Sequence, residues 1–299
     1  MNLTGRGETG MKTRIKKGIV AAAAVMATST ALLLGNAGGA AAAGPSLSAF
    51  GLVSDGKTMS SFQTNTPGTL NWVADITGFA GSDTRLVGVD IRPKNGVLYG
   101  VGNYGGIYTI PNVPGSDSKM HITKVGQLTV ALDGVSFGVD FNPAVDRLRI
   151  ISNTGQNLRH DVDGNSTIKD MPLTLNGAPA TGVTAAAYTN NDNNTDTATT
   201  LFDIDTYNDQ VAIQAPANNG TLNPTGKLGV DAGINAGLDI FSDLSGGKTI
   251  SNAAFATLLP SGGRQSFYMV DPLTGATTLV GAFPSIAPVT DVAIKLDAS

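Results

Sequence analysis

From Ser48 onward the chain alternates short runs rich in Val, Ile, Leu, Phe and Tyr with clusters of Gly, Asn, Asp and Pro. Apolar runs of this length between turn formers read as β-strands, and no stretch beyond residue 43 keeps the three-and-four spacing of an amphipathic helix. The pattern predicts strands over residues 49–53, 58–63, 70–76, 97–101, 107–110, 122–128, 147–152 and 158–162.

A longer period lies over these runs. Leu86-Val87-Gly88-Val89-Asp90-Ile91-Arg92-Pro93 returns as Ser136-Phe137-Gly138-Val139-Asp140-Phe141-Asn142-Pro143, and fainter copies start at Val183, Gly237 and Val289. The spacing is about fifty residues with about four strands per copy, which is the size of a propeller blade. The last copy, over residues 289–296, has almost no chain after it, whereas about three strands precede the first copy. One blade sewn from both ends of the chain leaves no open edge, as closed β architectures require. The prediction is an all-β fold, a five-bladed β-propeller with one blade closed by both chain termini. A pair of β-sandwiches would not explain the complementary incomplete ends.

The first 43 residues read differently. Met11 to Lys17 is basic, Ile19 to Leu34 is apolar and Ala41-Ala42-Ala43 offers small residues for cleavage, the layout of a signal peptide. The apolar run is short of the roughly twenty residues that span a bilayer. Residues 1–43 are therefore expected to be a leader, with translation able to start at Met11, and 44–299 a single propeller domain. The expectation is a secreted bacterial protein with no membrane span in its mature form.

Five of the 19 Lys and Arg but one of the 23 acids fall in that leader, so the remainder is acidic. That balance excludes nucleic acid, which needs a basic surface. The only glutamate is Glu8, and the preference for Asp suits turns rather than helix interiors. With no cysteine, disulfides, thiolate metal sites and cysteine nucleophiles are excluded as well.

Phe137-Gly138-Val139-Asp140-Phe141-Asn142-Pro143-Ala144-Val145-Asp146-Arg147-Leu148-Arg149, followed by Asn153-Thr154-Gly155-Gln156-Asn157-Leu158-Arg159, resembles the signature of the bacterial domain of unknown function 4394 family. Asn218 to Leu222 and Lys227 to Asp231 resemble its later motif. The resemblance runs from about Ser48 to the C-terminus and implies an exported repeat β protein without an assigned activity. The chain departs from the family after the arginine, where the family has an Asn-Pro-Asp-Thr-Gly turn and this chain reads Arg159-His160-Asp161-Val162-Asp163-Gly164.

Two catalytic signatures are discounted. Gly134-Val135-Ser136-Phe137-Gly138 matches a nucleophile elbow, but a strand rather than a helix leaves the serine. Gly100, Gly102 and Gly105 match a dinucleotide fingerprint, yet another strand follows, so they read as a hairpin turn with positive φ. Asp161, Asp163 and Asn165 alternate oxygen ligands suited to calcium, against the alternative of an Asp-Gly hairpin turn. The Asn190 to Asp196 run reads as a polar loop.

Asp90, Asp140, Asp239 and Asp291 hold matching places in four inner strands, whereas the copy near Ala186 lacks the acid. They should line the axis, either as staples that accept N–H bonds from the next blade or as a cation site. Arg147 and Arg149 share a strand face and Arg159 lies on the next strand; Asp140 or Asp146 is the expected partner, and an anionic or sugar-like ligand at the ring mouth is the sharper alternative. Candidate ligand-binding residues are Asp90, Asp140, Asn142, Arg149, Asn157, Arg159, Asp239 and Asp291. The favoured function is a non-catalytic module for an unknown extracellular ligand or protein. The runner-up is a calcium-assisted hydrolase such as a lactonase, and the third reading is a cell-surface or matrix structural protein.

Overall fold

The computed structural model describes Met1 and residues 44–298, so the segment expected to be a leader lies outside the described residues apart from Met1. Among these, every expected repeat copy becomes the first strand of its own sheet. Blade 1 runs Leu86–Arg92, Val97–Gly102, Gly106–Ile110, Thr123–Gln127, and blade 2 runs Phe137–Asn142, Arg147–Ser152, Asn157–Asp161, Ser166–Lys169. Blade 3 runs Val183–Tyr188, Leu201–Asp205, Gln210–Gln214, Thr221–Lys227, and blade 4 runs Gly237–Ser245, Lys248–Leu258, Ser266–Val270, Thr277–Ala282. Blade 5 is the sewn one. Its inner strand Val289–Ile294 pairs antiparallel with Ser48–Val53, and Thr58–Gln63 and Leu70–Thr77 follow.

The inner strands are buried on both faces because each blade is sandwiched between two others; in Val183–Tyr188 all six residues are buried. Tyr99, Val101 and Ile107 of blade 1 pack with Val139, Phe141, Leu148 and Ile150 of blade 2. Blades 4 and 5 meet in an aromatic cluster in which Phe62 stands edge-on to Phe267 at 5.3 Å and to Phe283 at 5.1 Å. Fully burying a side chain of this kind contributes about 1.5–3 kcal/mol, so the core is the set of interblade seams.

The repeated Gly-Val-Asp has a steric cause. A Cβ placed on Gly138 would lie 2.5 Å from the backbone nitrogen of Ala186 in blade 3, and one on Gly237 would lie 2.6 Å from Cα of Asp291 in blade 5. Glycine lets adjacent inner strands close on the axis. Two residues later the aspartate crosses to the neighbouring blade.

Several local expectations change. The strand expected over residues 122–128 of the first repeat is present as Thr123–Gln127, but the two residues Met120–His121 before it pair in parallel with Leu70–Thr77 of blade 5. Of the glycines at 100, 102 and 105, only Gly105 has positive φ, at 84°. Gly102 and Gly106 are small for another reason: a Cβ on either would strike the carboxylate of Asp83. That carboxylate caps the turn, accepting from Tyr104 N at 2.5 Å, Gly106 N at 3.1 Å and the Tyr108 hydroxyl at 2.8 Å. In the Asp163-Gly164-Asn165 turn the left-handed residue is Asn165, with φ 47°, not the glycine.

Candidate functional site

Four aspartates staple the ring at its axis. Asp90 accepts from Phe141 N of blade 2 at 2.7 Å, and Asp140 accepts from Tyr188 N of blade 3 at 2.9 Å. Asp239 accepts from Ile294 N of blade 5 at 2.5 Å, and Asp291 accepts from Val89 N of blade 1 at 2.8 Å. Where blade 3 has Ala186 instead of an acid, the joint to blade 4 is made by a loop: Asn191 donates its backbone N–H to Ser242 Oγ at 2.9 Å and its amide to Ile240 O at 3.1 Å. The polar Asn190 to Asp196 run thus replaces the missing staple.

Burial raises the carboxyl groups of Asp90, Asp140 and Asp291 well above the usual carboxylate range, with like charge from neighbouring acids adding to it. Burial pushes Asp239 up to about 7. Ligand oxygens of Asp90, Asp140 and Asp239 lie within 4.8 Å of one another, the span of two calcium–oxygen bonds of about 2.4 Å. Access is narrow. Ser136 Oγ donates to Ile234 O at 2.7 Å across one end of the ring, and Asn193 donates to Pro93 O at 2.7 Å across the other. The cavity that reaches Asp291 measures only about 60 Å³.

The larger cavity, about 520 Å³, opens between blades 2 and 3 and is built on a cross-strand row. Asp140, Arg149 and Arg159 stand opposite one another on three successive strands of blade 2, so their side chains share the face toward blade 3. Arg149 is buried and bonded at every nitrogen. It donates to the Tyr188 hydroxyl at 3.2 Å, to Asn157 and Asp170 at 2.7 Å each, and to Asn218 at 2.8 Å. Burial works against its charge, but the Tyr188 hydroxyl and Asp170 hold its pKa above the ordinary value. Arg159 donates through Nε to Asp170 Oδ1 at 3.1 Å, and Arg147 pairs with Asp161 at 3.1 Å.

Of the residues expected to bind a ligand, Asn142, Arg149 and Arg159 line this cavity. Asn157 is fully buried behind it, accepting from Arg149 and donating to Met171 O and Ala217 O. The arginine partners differ from expectation. Asp140 spends its carboxylate on the blade 3 backbone, and Asp146 turns to Arg92 of blade 1 at 2.7 Å, leaving Asp170 for Arg149. Asp161, Asp163 and Asn165 are not brought together for a cation. Asp161 pairs with Arg147, Asp163 is held well below the usual range by Arg92 and Lys94, and Asn165 accepts from Gln127 N of blade 1.

Asp170, Tyr188 and Asn218 are not among the residues expected to bind a ligand, although Asn218 opens the later family motif. Tyr188 occupies the repeat position of Arg92 and Asn142, a signal that was available; Asp170 and Asn218 sit in connections that follow no repeat. Asp203 is absent from that set as well. It pairs in register with Ala186, so blade 3 carries its acid one strand farther out, fully buried, with neither carboxylate oxygen hydrogen-bonded. Burial lifts its pKa well above the ordinary value. Asp203→Leu is expected to stabilise the fold by about 1–3 kcal/mol at neutral pH, read by urea unfolding, because the unsatisfied acid costs that much. A destabilised variant would show that the acid has a partner.

A family model described as "Domain of unknown function (DUF4394)" matches residues 58–293. No curated protein matches the chain. Among solved structures, Myxococcus xanthus glutaminyl cyclase is 14% identical with a TM-score of 0.41, over 72% of this chain and 83% of that one. The WD40 domain of Toxoplasma gondii coronin is 14% identical with a TM-score of 0.37, over 75% of this chain and 54% of that one. The five-bladed arrangement rests on the strand pairing of this chain itself.

Proposed function

The chain belongs to the DUF4394 family, and we propose that on this scaffold it is an exported, non-catalytic binding module whose ligand occupies the cavity between blades 2 and 3. The observation that carries the reading is the chemistry of the lining. Three arginines, three asparagines and Tyr188 face the space, with no carboxylate, imidazole, thiol, lysine or aliphatic hydroxyl among the lining residues. General acid–base and nucleophilic catalysis draw mostly on such groups, and of the lining residues Tyr188 is the one that could act in that way. Burial raises the Tyr188 hydroxyl above its ordinary pKa, so it stays neutral and accepts from Arg149. The cavity volume falls in the range of small-molecule sites. A calcium-assisted hydrolase would have to use the axial acids, and the 60 Å³ beside Asp291 is too small to admit a substrate. Export is supported by the basic, apolar and small-residue order of residues 11–43.

The test is thermal melting of the purified protein against a set of neutral, anionic and cationic small molecules. A ligand that binds only the folded state raises the melting temperature with concentration. Val145 is 60% exposed at the rim, so Val145→Trp should close the cavity without disturbing the core. Every stabilising ligand should lose its effect in that variant. If none stabilises the parent, or all stabilise the variant equally, the reading fails.

A further inference from the structure

We propose that the ligand taken by this cavity is a monocarboxylate, gripped by the outer nitrogens of Arg159; this rests on the binding reading above. Arg147 and Arg149 are already committed. Arg147 donates through Nη1 to Val145 O and Asp146 O and pairs through Nη2 with Asp161, while Arg149 donates through Nε, Nη1 and Nη2. Arg159 uses only Nε, on Asp170. Its two η nitrogens have no hydrogen-bond partner among the described residues, and the residue lines the cavity. A guanidinium held at Nε with its outer fork open suits two oxygens in one plane, which is a carboxylate.

The charge count points to a single negative charge. Three guanidiniums, of Arg147, Arg149 and Arg159, form ion pairs with two carboxylates, of Asp161 and Asp170, while burial raises the pKa of the neighbouring Asp140 and Asp203 and so favours their neutral forms. The neighbouring group is balanced: Arg92 and Lys94 pair with Asp146 and Asp163 and lend no further charge. One positive charge is left at the cavity. A monocarboxylate neutralises it, whereas a phosphate monoester carries about −1.5 to −2 and would overshoot. The rest of the ligand has both surfaces it needs, since Val145, Pro216 and Ala217 offer apolar area and the amide of Asn219 can bond hydroxyls. Arg149 is a positioning residue in this scheme, because it shares Asp170 with Arg159 and fixes the carboxylate that orients the fork.

Isothermal titration of the whole purified protein with four probes tests the proposal. Glucose, glucuronate and glucose 6-phosphate share one sugar ring and differ in charge, and hexanoate is a monocarboxylate without hydroxyls. At least one of glucuronate and hexanoate should bind, with glucose and glucose 6-phosphate at least roughly tenfold weaker. Arg159→Gln should weaken the bound carboxylate roughly tenfold or more, leaving the melting temperature of the unliganded protein near that of the parent, because a single half-exposed ion pair adds little stability. Arg159→Lys, which keeps the charge without the fork, should recover only part of the loss. If glucose binds as tightly as glucuronate and Val145→Trp blocks both, the module stands and the monocarboxylate assignment falls. Binding unchanged by Arg159→Gln, or failure of both carboxylates to titrate at millimolar concentration, also overturns the assignment. Carboxylate binding that survives Val145→Trp places the ligand elsewhere, and the cavity reading falls with it.

Discussion

Acidifying the protein from about pH 7 toward pH 4.5 should raise its melting temperature, the reverse of ordinary acid denaturation. The cause lies at the axis. Asp239 has a folded pKa of about 7 against an unfolded value near 3.8, so between those two values the folded state binds more protons than the unfolded chain. Each step down in pH through that window therefore favours folding; the contribution is complete below the unfolded pKa and is lost as pH rises through the folded one. Asp90, Asp140 and Asp291 are raised by the same burial and by one another, and act in the same direction. His160 opposes them. Burial lowers its pKa, so below about 6.5 the unfolded chain takes up a proton that the folded imidazole resists. Asp203, also raised by burial, adds to the acids, and one imidazole against five carboxyls leaves the sign with them. The carboxylates whose pKa is lowered, Asp117, Asp146 and Asp163, give up their contribution only below about 3.8, outside the window. Melting curves across this range in the presence of a chelator should show the rise, and Asp239→Asn should flatten it, because the amide cannot ionise. If acid lowers the melting temperature instead, and a chelator at pH 7.5 lowers it too, the axial oxygens hold a cation and the protonated-staple account is wrong.

The blade count was legible in the sequence because most inner-strand copies carry a steric necessity: in three a glycine where two inner strands approach, in four an aspartate whose carboxylate reaches the next backbone. Gly88, Gly138 and Gly237 all show the close approach. The cross-strand row of Asp140, Arg149 and Arg159 was legible too, since period two puts alternate residues on one face. What the arginines bond to was not. Asp170 and Asn218 come from connections whose path depends on packing between blades; nothing in the local sequence marks Asp170, and the family motif that begins at Asn218 does not say what it bonds. The same holds for Met120–His121, which leaves its own repeat to join blade 5, and for the Thr174–Leu175 and Ala178–Pro179 hairpin added to the edge of blade 3. Such pairings are two residues long. Periodicity over so few positions carries no signal, and the geometry is set by where the larger sheets already stand. Asp203 shows the limit from the other side: the acid missing at Ala186 looked like a lost staple, and only the register reveals it one strand outward.

Truncation after Pro288 should abolish the folded state rather than fray one edge. The removed strand, Val289–Ile294, is the innermost of blade 5 and pairs with Ser48–Val53 along its length. Val289, Val292, Ala293 and Ile294 are all buried, and losing large aliphatic side chains from a core costs about 2–5 kcal/mol each. Three such losses, about 6–15 kcal/mol together, are comparable with the roughly 5–15 kcal/mol by which a whole domain is stable. Two axial staples go with the strand: Asp291 no longer accepts from Val89 N of blade 1, and Asp239 loses the Ile294 N–H while remaining buried. Blades 1 and 4 would then face an open gap, and the second strand of blade 5 would present an unpaired edge. The expected result is loss of the near-ultraviolet circular dichroism and of any cooperative melt, with aggregation from the exposed edge. Val292→Ala is the graded control, expected to lose about 1–3 kcal/mol in urea unfolding while keeping a single cooperative transition. A truncated protein that melts like the parent would mean that Val289–Ile294 does not close the ring.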